Sequence, residues 1–207
     1  HAVDILQAHR NWYIPPVVFI HSMSSPQGTA TYETGATRQY YHGRTETVRS
    51  FSQESVEFSR AMDDASVPKE VKVEKLRKAV DYHSRVLMND AVAGKGVDRH
   101  LLGLRILAME EESDQPAPDI FTDKAYKESS TWRLSTSNMP GQTYISGFGP
   151  GTADGYGVCY GTRKELLQFS ISSFFSCQQT DSARFRDALR GSLIDLGSLV
   201  TDGNSKL

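Results

Sequence analysis

Between Pro68 and Gly94 the residues Val73, Leu76, Val80, His83 and Leu87 recur at steps of three and four. That is the period of an α-helix with one face on a core, and Pro68 before it with Gly94 and Gly96 after it are start and stop signals. A long one-sided helix needs a second layer to cover its stripe, so the rest of the chain must supply one. A shorter helix is predicted upstream from an N-cap at Ser52, with Val56, Ala61 and Met62 on its apolar side, ending near Asp63–Ser66. Downstream, Asp98 reads as the N-cap of a third helix whose "LLGL" and "ILAM" are apolar nearly all round, which predicts that it is buried.

The pattern then changes. After a short helical piece around Phe121 to Glu128, the runs "TYISGF", "YGVCYG" and "LLQFSISSFF" carry aromatic and β-branched residues between glycine-rich turns and predict strands. A last helix is expected from a Thr180 cap through Phe185, Leu189, Leu193 and Leu196 to Val200. Helices, then strands, then one helix predict an α/β class of mixed α and β layers.

Composition narrows the partners. With 38% hydrophobic and 23% charged residues and a net charge of -2, the chain is an ordinary globular one without the basic surplus of a nucleic-acid binder. The two cysteines, Cys159 and Cys177, form no CxxC and no His/Cys cluster, so neither a disulfide scaffold nor a metal site is expected. The most apolar run, Trp12 to Met23, is too short to span a bilayer and is broken by Pro15 and Pro16, so no transmembrane segment is expected. A start at His1 with no basic region before an apolar run predicts no signal peptide and suggests a piece of a longer chain. The final Ser205-Lys206-Leu207 spells the tripeptide read by the peroxisomal import receptor at a free chain end, and predicts a peroxisomal location.

Among residues that can carry chemistry, Arg99 is the oddest charge. In the first turn of a helix the positive end of the macrodipole disfavours a cation, so an anion should hold it there. Two partners stay open, an internal Asp or Glu and the carboxylate of a ligand, which a guanidinium grips with two prongs. Tyr32 to Ser50, dense in hydroxyls and arginines, reads by itself as a solvated polar loop. His83 and His100 fall in apolar helical surroundings and read as core or supporting histidines, and Cys177 as a small core hydrophobe. Ser135 and Ser137 in "WRLSTSN" lack both a G-x-S-x-G elbow and an S-x-x-K partner, which makes them poor nucleophiles but leaves the role of positioned donor to an oxyanion. The glycines of Gly147 to Gly161 match no phosphate-loop pattern.

Taken in order, "TYETGATRQYYHGRTETVRS", "RAMDD", "GVDRHLLGLR", "WRLSTSN", "GFGP", "DGYGVCY", "SISSFFSC" and "TDSARF" resemble the C-terminal part of the carnitine/choline acyltransferase family. The resemblance implies a chloramphenicol-acetyltransferase-like fold and reversible acyl transfer between coenzyme A and a hydroxyl, with acyl-CoA as co-substrate and no bound cofactor. It implies the carnitine branch, because Thr45 and Arg99 stand where carnitine enzymes bind the carboxylate that choline lacks. Tyr32, Thr34, Thr45 and Arg99 would hold that carboxylate, Ser135 would contact carnitine, and Ser137 would donate to the tetrahedral oxyanion. Phe148 would lie against the trimethylammonium group, Arg85 and Asn138 would contact coenzyme A, and the small Ser146 and Gly147 would leave an acyl pocket open to medium or long chains.

The pattern departs from the family in places. The family's general-base histidine and its coenzyme-A-gripping lysines precede the "YE" motif, and nothing here matches them. Gly151 and Thr152 stand where relatives usually carry two valines. The expected organisation is an atypical segment 1–27, a C-terminal acyltransferase part 28–202, and a tail 203–207. Such a chain is expected to lack transferase activity alone, and a non-catalytic carnitine- or coenzyme-A-binding module is the alternative.

Overall fold

The computed structural model describes residues 31–37, 40–110, 118–139, 144, 146–162 and 166–201. The expectations for residues 1–27, for the boundaries near 28 and 203, and for the Ser205–Leu207 tripeptide lie outside the described residues. Among the described residues no helix is long and apolar enough to cross a membrane.

The class is as expected, a mixed sheet with flanking helices. In chain order the strands are β1 (Thr31–Thr37), β2 (Arg44–Val48), β3 (Leu134–Asn138), β4 (Tyr156–Thr162) and β5 (Leu167–Ser172). They lie side by side as β2-β1-β3-β4-β5. β1 and β3 are parallel, as are β3 and β4, while β2 and β5 run antiparallel to their neighbours at the two edges.

The helices are α1 (Gln53–Asp63), α2 (Lys69–Asp81), α3 (Met88–Val92), α4 (Val97–Glu110), α5 (Asp119–Thr122), α6 (Lys124–Ser129) and α7 (Ser182–Thr201). The Ser52 cap is present, its hydroxyl accepting from the Ser55 amide. The long helix after Pro68 is one rod, but Tyr82–Leu87 between α2 and α3 is a π-helical turn, in which the Met88 amide reaches back five residues to the His83 carbonyl. It ends where expected: Gly94 takes φ +67, its amide bonds Ala91 O at 3.0 Å, and the Lys95 amide bonds Asp90 O at 2.8 Å. Those crossed bonds form a Schellman cap, which needs the left-handed conformation glycine adopts without strain.

Among the described residues two clusters form the core. Phe58, Val73, Leu76, Ala79, Val80 and Leu199 join α1, α2 and the C-terminal half of α7. Leu134 and Val158 of the sheet pack on Phe185 and Leu189 of the same helix, with Tyr156, Phe169 and Ile171 around them. α7 therefore buries one end on the sheet and the other on the helical pair.

Several expectations are corrected. The stretch Tyr32–Ser50 is mostly a β-hairpin, β1 and β2, rather than a loop. The buried side of β1 is Thr31, Glu33, Gly35 and Thr37, so its period of two is real but carries no hydrocarbon for a hydrophobicity reading to detect. The expected strand "TYISGF" is not one in its described residues, Tyr144 and Ser146–Phe148, whereas "LSTSN" is β3. The last helix is capped by Asp181, whose Oδ1 accepts from the Ala183 and Arg184 amides at 2.8 and 3.1 Å, and not by Thr180. α4 has no buried residue, and Leu107 and Met109 are 63% and 71% exposed. Apolar composition says only that a helix gains from cover, and the described residues supply none beyond its first turn. His100 is accordingly exposed, not a core residue, and Cys177 is half-buried.

Candidate functional site

Successive side chains of a strand point to opposite faces, and paired residues of neighbouring strands share a face. Registry therefore sorts the sheet. Leu134, Thr136, Val158 and Glu33 face the core, while Ser135 stands beside Tyr32 on β1 and Gly157 on β4, and Ser137 beside Cys159. Thr34 shares this second face, two residues along β1 from Tyr32, and donates its hydroxyl to Tyr32 Oη at 2.9 Å. Thr45 on β2 pairs with Ala36 and so lies on the same face. Small and hydroxyl-bearing side chains lie on this side, while the other is closed under β3 to β5 by Leu134, Val158, Phe169 and Ile171, which makes this the face that can receive a polar ligand.

The loop at 146–149 crosses that face beside the serines. Ser146 hydrogen-bonds the Cys159 thiol, whose pKa burial raises and this bond partly lowers. Phe148 O accepts from the Ser172 hydroxyl at 2.5 Å. A Cβ at Gly157 would come within 2.7 Å of Phe148 O and 3.0 Å of Gly149 O, so glycine is required there for the loop to approach. Gly147 is less rigidly confined, since the atom its Cβ would meet at 2.7 Å is the side-chain Ser170 Oγ.

At the β2 edge, Arg99 in the first turn of α4 donates Nε to Thr45 O at 2.9 Å, and its Nη2 stands 3.5 Å from Thr45 Oγ1, the outer limit of a hydrogen bond. Arg99 is exposed, not buried as expected, and among the described residues no carboxylate pairs with it. The internal salt bridge left open by the sequence is thus not formed there. The guanidinium lines a cleft of about 370 Å³ together with Thr45, Arg44, Glu46 and Tyr40.

The fold thus brings Tyr32, Thr34, Thr45, Ser135, Ser137, Ser146 and Phe148 to one face, with Arg99 at its edge. β2 and β3 are two strand spacings apart, and Thr45 stands beside Ala36 while Ser135 stands beside Tyr32, four residues back along β1, so the arginine corner is offset from the serines both across and along the sheet. Arg85 and Asn138 do not join this row. Arg85 is exposed on the π-helical turn, 3.2 Å from Asp81, and Asn138 ends β3 on the opposite face with a buried Oδ1 that has no partner.

Two groups, Arg49 and Glu33, were not singled out from the sequence. Arg49 continues the alternation of Thr45 and Thr47 just past β2, and that period of two was the available signal. Its guanidinium holds Asp98 by both oxygens at 2.6 and 2.9 Å and lies 4.9 Å from the centre of the Trp132 ring, which in turn packs on Tyr32 at 5.3 Å. Asp98, expected as a helix cap, is instead inside the first turn of α4 and taken up by this pair. Beneath the serines, Glu33 is buried and accepts from Thr136 and Tyr160, and desolvation raises its pKa to about 7 against those two bonds. His83, read from the sequence as a core or supporting histidine, is buried with neither ring nitrogen hydrogen-bonded, and desolvation lowers its pKa to about 4.

Residues 21–191 match the family described as "Choline/Carnitine o-acyltransferase". Carnitine O-acetyltransferase of Rattus norvegicus is 42% identical over 175 residues, which cover 84% of this chain and 28% of that protein. The Homo sapiens protein of that name is 43% identical over 175 residues, with the same two coverages. Choline O-acetyltransferase of Homo sapiens is 37% identical over 174 residues, 83% of this chain and 23% of its own length. The chain spans well under a third of the length of these curated relatives.

Proposed function

Since the chain belongs to the choline/carnitine O-acyltransferase family, we propose that it serves the reversible transfer of an acyl group between coenzyme A and the hydroxyl of carnitine. The observation that supports carnitine over choline is Arg99, an exposed guanidinium anchored by the Thr45 carbonyl without a carboxylate of its own among the described residues. A ligand carboxylate completes it, with the hydroxyls of Thr45, Tyr32 and Thr34 as further partners, directly or through water.

From that grip carnitine extends across the sheet face to β3. Ser135 contacts it, the trimethylammonium group lies against the Phe148 ring, and Ser137 donates to the oxygen that becomes negative. The carnitine oxygen forms a C–O bond to the thioester carbonyl carbon, the tetrahedral oxyanion collapses, and the C–S bond breaks. The hydroxyl proton passes to a general base and from it to the leaving thiolate. We assign no residue of this chain as that base, and residues 1–207 alone are expected to turn over negligibly. Arg85 and Asn138 serve coenzyme A, and Ser146 and Gly147 border the acyl chain. The Ser205-Lys206-Leu207 tripeptide, where it forms a free carboxyl terminus, is proposed to direct the protein to peroxisomes, and an N-terminally tagged form ending there is expected to lose punctate localisation when Leu207 is deleted.

Titration calorimetry with L-carnitine and with choline tests the central reading. Saturable heat is expected from carnitine and not from choline. Equal binding of both, or binding of neither, overturns it.

A further inference from the structure

Arg49 uses its whole fork. Nε and Nη2 donate to the two oxygens of Asp98 at 2.9 and 2.6 Å, Nη1 donates to Ser129 O at 2.9 Å, and the flat of the guanidinium faces Trp132. The side chains of Arg49 and Asp98 are 34% and 12% exposed, and the three hydrogen bonds and the ring contact that converge on the guanidinium hold it more firmly than an open surface pair. The three partners lie in separate parts of the chain. Asp98 is the residue before Arg99 in the first turn of α4, Ser129 ends α6, and Trp132 stands three residues before Ser135 at the head of β3.

Adjacent residues of one helical turn thus reach two points of the hairpin, Arg99 to Thr45 and Asp98 to Arg49. Two attachments fix the rotation of that turn about its axis, which one would leave free. Across the guanidinium, the Trp132 ring leans on Tyr32 at an interplanar angle of 38°. We infer that Arg49 is the positioning residue of the carboxylate grip: through Asp98 it aims Arg99 at Thr45, and through Trp132 it holds Tyr32 beside Ser135. Arg49 touches no ligand in this arrangement. Lysine keeps its charge but has no planar fork, so it cannot hold both Asp98 oxygens, Ser129 O and the ring face together.

This inference rests on the carnitine reading, and the experiment separates the two. Arg49→Lys, Asp98→Asn and their double variant are compared with wild type in affinity for L-carnitine, affinity for coenzyme A, melting temperature, and backbone amide shifts of Tyr32 and Arg99. Carnitine affinity is expected to fall about tenfold or more in each single variant and no further in the double, with coenzyme A affinity held within about twofold. Both affinities falling together with the melting temperature, or folded Arg49→Lys binding carnitine as wild type does, overturns the role. If Arg49→Lys does not fold, Trp132→Leu, which keeps the ion pair and removes the ring, must weaken carnitine selectively, and an unchanged affinity overturns it. A wild type that binds no carnitine defeats the functional reading alone. The positioning role is then decided by the amide shifts, which must move in folded Arg49→Lys and, unmoved, refute it.

Discussion

Thr136 donates its hydroxyl to Glu33 at 2.5 Å across the β1–β3 seam, on the core side of the strand whose other side carries Ser135 and Ser137. Tyr160 donates to the second oxygen at 2.6 Å, so one buried carboxyl ties β1, β3 and β4 together beneath the site. Each donor lies more than a hundred residues along the chain from the acid they share.

That carboxyl makes stability depend on pH. Its folded pKa is about 7 against 4.5 unfolded, so the folded state binds the extra proton. The stabilisation is complete below pH 4.5 and is lost as pH rises to about 7, a swing of roughly 3 kcal/mol. Glu33→Gln, which imitates the neutral acid, should gain on wild type by that order between acidic and neutral pH in urea titrations. A difference independent of pH would exclude ionisation of Glu33 as the cause.

His83 works in the opposite sense. Its folded pKa is about 4 against 6.5 unfolded, so its contribution is complete above pH 6.5 and is lost as pH falls to about 4. In wild type the two slopes oppose each other between pH 4.5 and 6.5, and stability should be nearly level there. His83→Phe should therefore become more stable on acidification through this window, and Glu33→Gln less stable. Parallel curves for all three proteins would contradict both assignments.

Arg99→Ala should weaken carnitine roughly 10- to 100-fold, the cost of losing a charged two-pronged partner. Because Arg99 is exposed and among the described residues bonds only Thr45, the melting temperature should scarcely move. Calorimetry showing undiminished carnitine affinity would remove this residue from the site.

Asp181→Ala should cost about 1 kcal/mol in chemical denaturation, since its carboxylate satisfies two amides at the start of α7, and Thr180→Ala should be close to neutral. The reverse order would restore the cap to Thr180.

By itself, the sequence determined the elements whose signal is local. The stripe from Val73 to Leu87, its Gly94 stop and the Ser52 cap are set by neighbours within a few residues, and each stands in the structure. So do β4, β5 and the apolar side of α7. The motifs from Tyr32 to Phe185 were equally legible, since a family pattern is a linear record of spacing. Tertiary structure decided what depends on partners distant in the chain. The β1–β2 hairpin was hidden because Glu33 and its polar neighbours are buried only where Thr136 and Tyr160 arrive to bond them. Asp98 has the spacing of a cap, yet Arg49 claims it from across the site, and α4 has the composition of a core helix with no described layer over it. Burial of a polar group, and cover for an apolar one, are properties of the assembled surfaces, and no single stretch of sequence contains both sides of such a contact.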